Sequence, residues 1–402
     1  MNVIVFDDDL GACFAAHTYR KLIRRGEVVV VSRSKTPGYA RSLLPYYAVG
    51  LLEEPFLISG RLLETSDLVR IVSASDVVVE EKYEISVKRR VYTNPLVLIS
   101  VWPELAPSDD RTINLLYPED AEELSEKLAY INDIVVTGGI AALPLVDALL
   151  NVGVKPKLVW HTGEFDEDFT GLLTKRLETK GVKLVPEIPS HYTLIVNFGG
   201  GWIPSNPFLK RRAEFVQVDA LGKALVNDAL YAIGLATMVK EPEGIFHTVR
   251  SEEEVLLQAF NFAMGLVDMR APSLRRYYAA RLDDVVFASF GFTQKEAAEL
   301  KLNPVVTRIR GWGRWSNTVI KAIASKQGLL LGVQAQVDAE SSILLGMLYH
   351  AVVSRAKIDE LARAFCPLDP QAPSLGDPLS RTFQALLRKI VMGKAGRRVQ
   401  HI

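Results

Sequence analysis

The stretch MNVIVFDDDLGACFAAHTYRKLIRRGEVVVV, residues 1–31, decides the fold class. Val3-Ile-Val-Phe6 is a short, continuous apolar run, residues 11–25 have helical spacing, and Glu27-Val-Val-Val-Val31 is a second run. A strand, a helix and a strand within about 30 residues form a βαβ unit, and strands this apolar suit a parallel sheet covered on both faces. Gly26 stands between helix and second strand, where a C-cap is expected. The same grammar returns further on, with strands at 133–137, 157–160 and 182–185 and helices over 140–151 and 167–180. Further strands are expected at 77–80, 96–100, 193–197 and 215–218.

From about residue 272 the pattern changes to antiparallel strands at 285–290, 305–309, 328–332 and 333–337, with helices at 341–355 and 378–392. Strands followed by helices indicate a separate α+β domain. Leu344, Leu345, Leu348 and Val352 form an apolar stripe that suits either core packing or an oligomer interface. Composition bounds the function. Forty-seven basic and 47 acidic residues in 402 give no net charge, which removes the bulk electrostatic argument for a nucleic-acid or acidic-membrane partner. Two cysteines, Cys13 and Cys366, supply neither a disulfide framework nor a metal cluster. No apolar run reaches the roughly 18 residues of a membrane span, and no signal-peptide pattern opens the chain. A reduced, cytoplasmic location is expected.

A βαβ dinucleotide site needs a glycine-rich turn that lets the backbone approach the pyrophosphate, whose charge then rests on the helix N-terminus. In the first unit the fingerprint positions are Phe6, Asp8 and Gly11, so only the last glycine is present. Three aspartates, Asp7 to Asp9, stand where phosphate would sit. Each unit-charge pair ~5 Å apart, at an effective dielectric of ~20, repels by roughly 3 kcal/mol. Asp9 or a neighbour capping its own helix, a metal-bridged ligand and a catalytic acid are the open readings. In the second unit the turn Thr137-Gly138-Gly139-Ile-Ala-Ala142 is partly intact, but its second strand ends at Trp160-His161 without the acid that takes ribose.

The order of the pieces resembles the pyridine nucleotide-disulfide oxidoreductases, in particular the NADH oxidase / coenzyme A-disulfide reductase branch. The resemblance spans nearly the whole chain. It includes Pro37 to Gly50 with its Leu-Pro-Tyr core, Gly201-Trp-Ile-Pro204, residues 230–236, Ala288-Ser-Phe-Gly-Phe-Thr-Gln-Lys-Glu296 and Gly376-Asp-Pro-Leu379. It implies an FAD-type Rossmann domain (1–105 and 215–271), an NAD-type Rossmann domain (106–214) and a C-terminal α+β dimerisation domain (272–402). It also implies a homodimer.

Carried over residue by residue, the redox cysteine position is Ser42, and a hydroxyl forms neither a disulfide nor a sulfenic acid. Leu235, Pro144 and Ile203 replace an Asp, a Glu and an Arg of the family. Gly11, Arg41, Pro45, Tyr46, Gly139, Gly201, Pro204 and Gly234 match. Thr137, Gly138, Gly139 and Ala142, with Gly11, Gly201 and Gly234, are the remaining cofactor-binding positions. The pattern describes a kept fold with a discarded reaction: a silent binding or assembly subunit, homodimeric or paired with an intact relative. The alternative is an FAD-dependent NAD(P)H oxidoreductase with a cysteine-free site. A third reading is a nucleotide-binding regulator using only the 137–142 turn. His161, His191 and His247 lack metal-ligand spacing, the acidic run 163–168 reads as a solvated helix start, and Arg308 to Trp315 reads as sheet or interface packing.

Overall fold

The computed structural model describes residues 2–23, 26–54, 69–80, 84–106, 110–131, 133–160, 163–203, 208–209, 215–225, 227, 229–267, 274–312, 315–363 and 377–399. His161, Pro204, Cys366 and Gly376 lie outside them. The chain divides into two compact units, Met1–His161 with Glu178–Leu274, and Thr162–Leu177 with Arg275–Ile402.

The first unit is built on two parallel sheets. One contains β1 (Val3–Phe6), β2 (Val28–Ser32), β3 (Val69–Ser73), β7 (Leu96–Ser100) and β14 (Leu230–Ile233) in the order β14-β7-β1-β2-β3. Every pairing in it is parallel. The all-apolar runs sit at its centre, where β2 is buried at every residue. Helices α1 (Leu10–Leu22) and α6 (Glu252–Gly265) pack on one another beside it. Gly11 permits that approach, because a Cβ there would lie 2.6 Å from Val255 Cγ1. A small antiparallel sheet, β4 (Val77–Val79), β5 (Glu84–Val87) and β6 (Arg90–Thr93), follows β3.

The other parallel sheet has the order β11-β10-β9-β12-β8, from β8 (Thr112–Asn114), β9 (Ile134–Thr137), β10 (Lys157–Val159), β11 (Lys183–Val185) and β12 (Leu194–Asn197). Helices α3 (Pro118–Leu128) and α4 (Leu143–Asn151) belong to it, and the short α2 (Leu44–Ala48) packs against both. Strands β13 (Val216–Val218), β15 (Thr237–Lys240) and β16 (Phe246–Thr248) form a third, three-stranded sheet.

The second unit is an antiparallel sheet, β17-β18-β21-β20-β19, with helices α7 (Gln294–Glu299), α8 (Ile343–Val353), α9 (Ile358–Arg363) and α10 (Pro378–Val399). Its strands are β17 (Tyr277–Leu282), β18 (Val285–Gly291), β19 (Val305–Arg310), β20 (Val319–Ala324) and β21 (Leu330–Asp338). Strands β17 and β20 were not expected from the sequence, and two expectations are corrected. Residues 328–332 and 333–337 are not two strands, since β21 runs straight through Gly332. That glycine does not turn the chain; it lets a neighbouring strand close in, since a Cβ would lie 2.0 Å from the Phe292 carbonyl oxygen. The acidic run 163–168 is not simply solvated either. Asp166 accepts from the N–H groups of Gln294 and Lys295 at the start of α7, at 3.0 and 3.2 Å. Lys321, buried in β20, pairs with Asp166 and Asp168 at 2.9 and 2.8 Å. Of the two readings left open for the stripe Leu344, Leu345, Leu348 and Val352, core packing holds, since all four are buried within the chain. Among the described residues no helix is long and apolar enough to cross a membrane.

Candidate functional site

Ligands of open parallel sheets lie beyond the carboxyl ends of the strands, where the strand order reverses. Here that place is between β1 and β7. Asp7, Asp8 and Asp9 leave β1 there, Ser32 to Ser34 end β2, and Ser100 to Trp102 end β7. All three aspartates are buried. Asp9 caps α1, its Oδ1 accepting from the Ala12 N–H at 2.8 Å. Its Oδ2 accepts from the Ser100 hydroxyl at 2.8 Å and the Trp102 indole at 2.9 Å. Asp8 Oδ2 accepts from the hydroxyls of Ser32 and Ser34, each at 2.6 Å. Asp7 has φ +94°, a left-handed conformation unusual for any residue but glycine. Its Oδ1 accepts from the next N–H, that of Asp8, at 2.7 Å. The segment from Gly38 crosses this turn, with the Leu10 N–H donating to Tyr39 at 2.8 Å and the Gly38 N–H donating to Asp8 at 2.6 Å.

Among the described residues, Arg41 is the cation in ion-pair contact with the cluster. Arg41, 1% exposed, donates through Nη2 to Asp7 at 2.9 Å and places Nε 3.2 Å from Asp9 Oδ2. Its guanidinium lies 4.3 Å from the Trp102 ring centre. Burial disfavours the charge of Arg41, but Tyr39, Asp7 and Asp9 more than offset this and hold it protonated. Burial pushes the Asp9 carboxyl up against the pull of Arg41. Asp8 is pushed up to about 6 by burial and by Asp7. The Cys13 thiol is pushed up by burial and by the three carboxylates, which agrees with an inert packing residue.

Ser42 lies in the 3-10 turn Arg41–Leu43 that precedes α2. Its hydroxyl and its N–H both donate to Glu252, the first residue of α6, and so does the Arg41 N–H at 2.8 Å. The carboxylate therefore caps the turn from across the fold. Burial raises Glu252 to about 7, against the lowering effect of those bonds. Groups raised on folding stabilise the protein most below their unfolded values, near 3.8 for Asp8 and 4.5 for Glu252. That stabilisation is lost as pH rises through about 6 and about 7. Lowering the pH from about 8.5 to about 5.5 is therefore expected to raise stability, by roughly 3 kcal/mol from these two groups. Thermal melting across that range checks the sign.

The second turn is arranged differently. Thr137 donates its hydroxyl to Asn197 at 2.8 Å, and Gly139–Ala142 form a 3-10 turn before α4 rather than its first turn. Gly138, at φ +122°, faces the Phe198 carbonyl, which would lie 1.9 Å from a Cβ. Gly201 and Gly234 likewise face the carbonyls of Glu104 and Val101, each 2.3 Å from a would-be Cβ. The backbone of this chain thus requires glycine at all three positions. The sequence-derived site residues consequently fall at separate places: Gly11 between α1 and α6, Ser42 on Glu252, and Thr137 to Ala142 at the end of β9.

Beside the Asp–Arg cluster is a cavity of about 400 Å³. Asp7, Arg33, Arg41, Glu104 and Tyr117 line its polar part, and Trp102 with valine, isoleucine and phenylalanine side chains lines the rest. Ile203, where the resemblance implies an arginine, is one of those apolar residues. Burial raises Glu104 although Arg33 and Arg41 oppose it.

No protein-family profile and no curated protein sequence matches the chain. Solved structures do. A NAD-dependent persulfide reductase from A. fulgidus superposes with a TM-score of 0.77 at 19% identity, over 97% of this chain and 83% of that one. Reduced CoADR-RHD from Bacillus anthracis gives 0.80 at 18%, over 98% and 81%. A water-forming NADH oxidase from Lactobacillus brevis, bound to NADH, gives 0.79 at 16%, over 98% and 99%. The chain has the pyridine nucleotide-disulfide oxidoreductase fold. The expected two Rossmann-like sheets and antiparallel C-terminal sheet are those of this oxidoreductase fold.

One buried cluster of this oxidoreductase-fold chain has no counterpart in the sequence reading. His247, in β16, places Nδ1 2.9 Å from Glu241 and Nε2 2.5 Å from Glu254, and all three are buried. Burial disfavours the imidazolium, but Glu254 and Glu241 outweigh it and raise the group to about 9. Among the described residues no three His, Cys, Asp or Glu side chains are placed to hold a metal.

Proposed function

We propose that this chain is a catalytically silent relative of the pyridine nucleotide-disulfide oxidoreductases that serves as a binding or assembly subunit. The observation that carries this reading is the Asp9 carboxylate at the N-terminus of α1, locked by Ala12, Ser100, Trp102 and Arg41. A carboxylate there does for the helix what a phosphate does in a dinucleotide site. The FAD diphosphate does not fit such a turn. It would add negative charge beside three buried aspartates with one buried arginine among them, at roughly 3 kcal/mol for each close pair. Ser42 supports the same reading, because its hydroxyl is committed to Glu252. The three-domain division at residues 105, 214 and 271, homodimerisation through the last domain and a cytoplasmic location belong to this proposal.

The test is turnover. The purified chain, supplied with FAD and either NADH or NADPH, is expected to oxidise the nicotinamide no faster than free FAD does, with oxygen or a quinone as acceptor. Ser42→Cys is expected not to restore activity. Its thiol would face the Glu252 carboxylate, which disfavours the thiolate, so its reaction with a thiol reagent at neutral pH should be slow. Flavin-dependent turnover by the unaltered chain would instead favour a cysteine-free FAD-dependent NAD(P)H oxidoreductase.

A further inference from the structure

We propose that the cavity beside Arg41 binds an uncharged, flat, largely apolar molecule through a carbonyl oxygen that accepts from the Arg41 guanidinium. This inference rests on the reading above, in which the cleft no longer takes a dinucleotide. A guanidinium carries five N–H donors and no acceptor. Among the described residues the Arg41 side chain makes one hydrogen bond, from Nη2 to Asp7. Its Nε is close to Asp9 but lacks hydrogen-bond geometry. Buried donors without partners are unfavourable, and this side chain lines a cavity large enough for a small molecule.

The two carboxylates that pair with Arg41 already accept other bonds. Asp7 accepts from the Asp8 N–H and from Arg41. Asp9 accepts from Ala12, Ser100 and Trp102. The complementary ligand group is therefore an acceptor. The charges around the cavity already balance, with Asp7 and Asp9 beside Arg41 and with Glu104 interacting with Arg33, so a further anion would meet no unbalanced cation and that acceptor is an uncharged oxygen. Phe6, Trp102, Tyr117 and Phe208 offer aromatic surface to the body of the ligand, and Val77 and Val79 of β4 add aliphatic surface.

The probes are 2-naphthamide and 2-naphthoate, a carbonyl and a carboxylate on the same ring system, titrated calorimetrically into the purified full chain. 2-Naphthamide is expected to bind at one site, and 2-naphthoate about 10-fold more weakly or worse. Arg41→Lys, which keeps the charge but loses the fork of donors, is expected to weaken 2-naphthamide. Val77→Phe narrows the cavity and is expected to abolish its binding. Val79→Phe, from the same strand, takes its place if Val77→Phe lowers the melting temperature. Equal or tighter binding of 2-naphthoate, no saturable binding of 2-naphthamide, or binding untouched by the filling variants would overturn the proposal. Stoichiometric FAD in the purified chain would remove the underlying reading as well, whereas a flavin-free chain that ignores 2-naphthamide removes this inference alone.

Discussion

Arg41→Met is expected to lower the free energy of unfolding by about 3–5 kcal/mol, the usual result of removing one partner from a buried ion pair. Asp7 and Asp9 would remain at the end of β1, out of water, without the cation that both approach. The stacking on Trp102 would be lost too, which adds about 2 kcal/mol for a desolvated cation over an indole. The effect is electrostatic rather than volumetric, since methionine fills much of the same space. Adding Asp7→Asn and Asp9→Asn to Arg41→Met is therefore expected to recover most of the loss. Asparagine at position 9 keeps a capping oxygen for Ala12 while removing the charge. Urea denaturation of the single and triple variants reads this directly. A loss within about 0.5 kcal/mol, the scale of an ordinary surface substitution, would mean that Arg41 is not what holds the cluster.

His247→Ala is expected to have an effect of similar size, about 3–5 kcal/mol, by removing the imidazolium between Glu241 and Glu254. This substitution also has a pH signature. A histidine raised to about 9 on folding contributes stability that is fully present below about 6.5 and lost as pH rises through about 9. The unaltered protein should therefore weaken between those values, in the same direction as the effects of Asp8 and Glu252. The His247→Ala variant should lose that part of the slope. Glu241→Gln and Glu254→Gln in the same background are expected to return part of the stability. An unchanged slope between about pH 6.5 and 9 would show that His247 is not charged in the fold.

What could be read from the chain follows from how local each feature is. The strands β1, β2, β9 and β12 are short runs of consecutive apolar residues, and burial on both faces requires that pattern. Gly153, at φ +82° just past the end of α4, marks that helix end for a reason confined to the backbone, whereas the C-cap expected at Gly26 is in fact Ile23. The capping role of Asp9 was legible because the cap and the N–H it serves are three residues apart. Strand β20 was not, because Lys321 interrupts its apolar run, and the carboxylates that allow its burial are 153 and 155 positions away. The partners of Arg41 and Ser42 were hidden for the same reason, since Glu252 lies 211 and 210 residues on. Glu241 follows β15, His247 lies in β16 and Glu254 in α6, so no single helix or strand carries the three and only the β15–β16 hairpin and α6 bring them together. A buried charge in an otherwise apolar strand is the one local signal of such pairings, and it names no partner.

The most direct measurement is a visible absorption spectrum of the natively purified protein together with mass spectrometry of the small molecules it releases on denaturation. A colourless protein that releases no FAD is the predicted result. Flavin bands with one FAD per chain would contradict the account, because the cofactor's diphosphate would then have to share the end of β1 with the carboxylates of Asp7, Asp8 and Asp9.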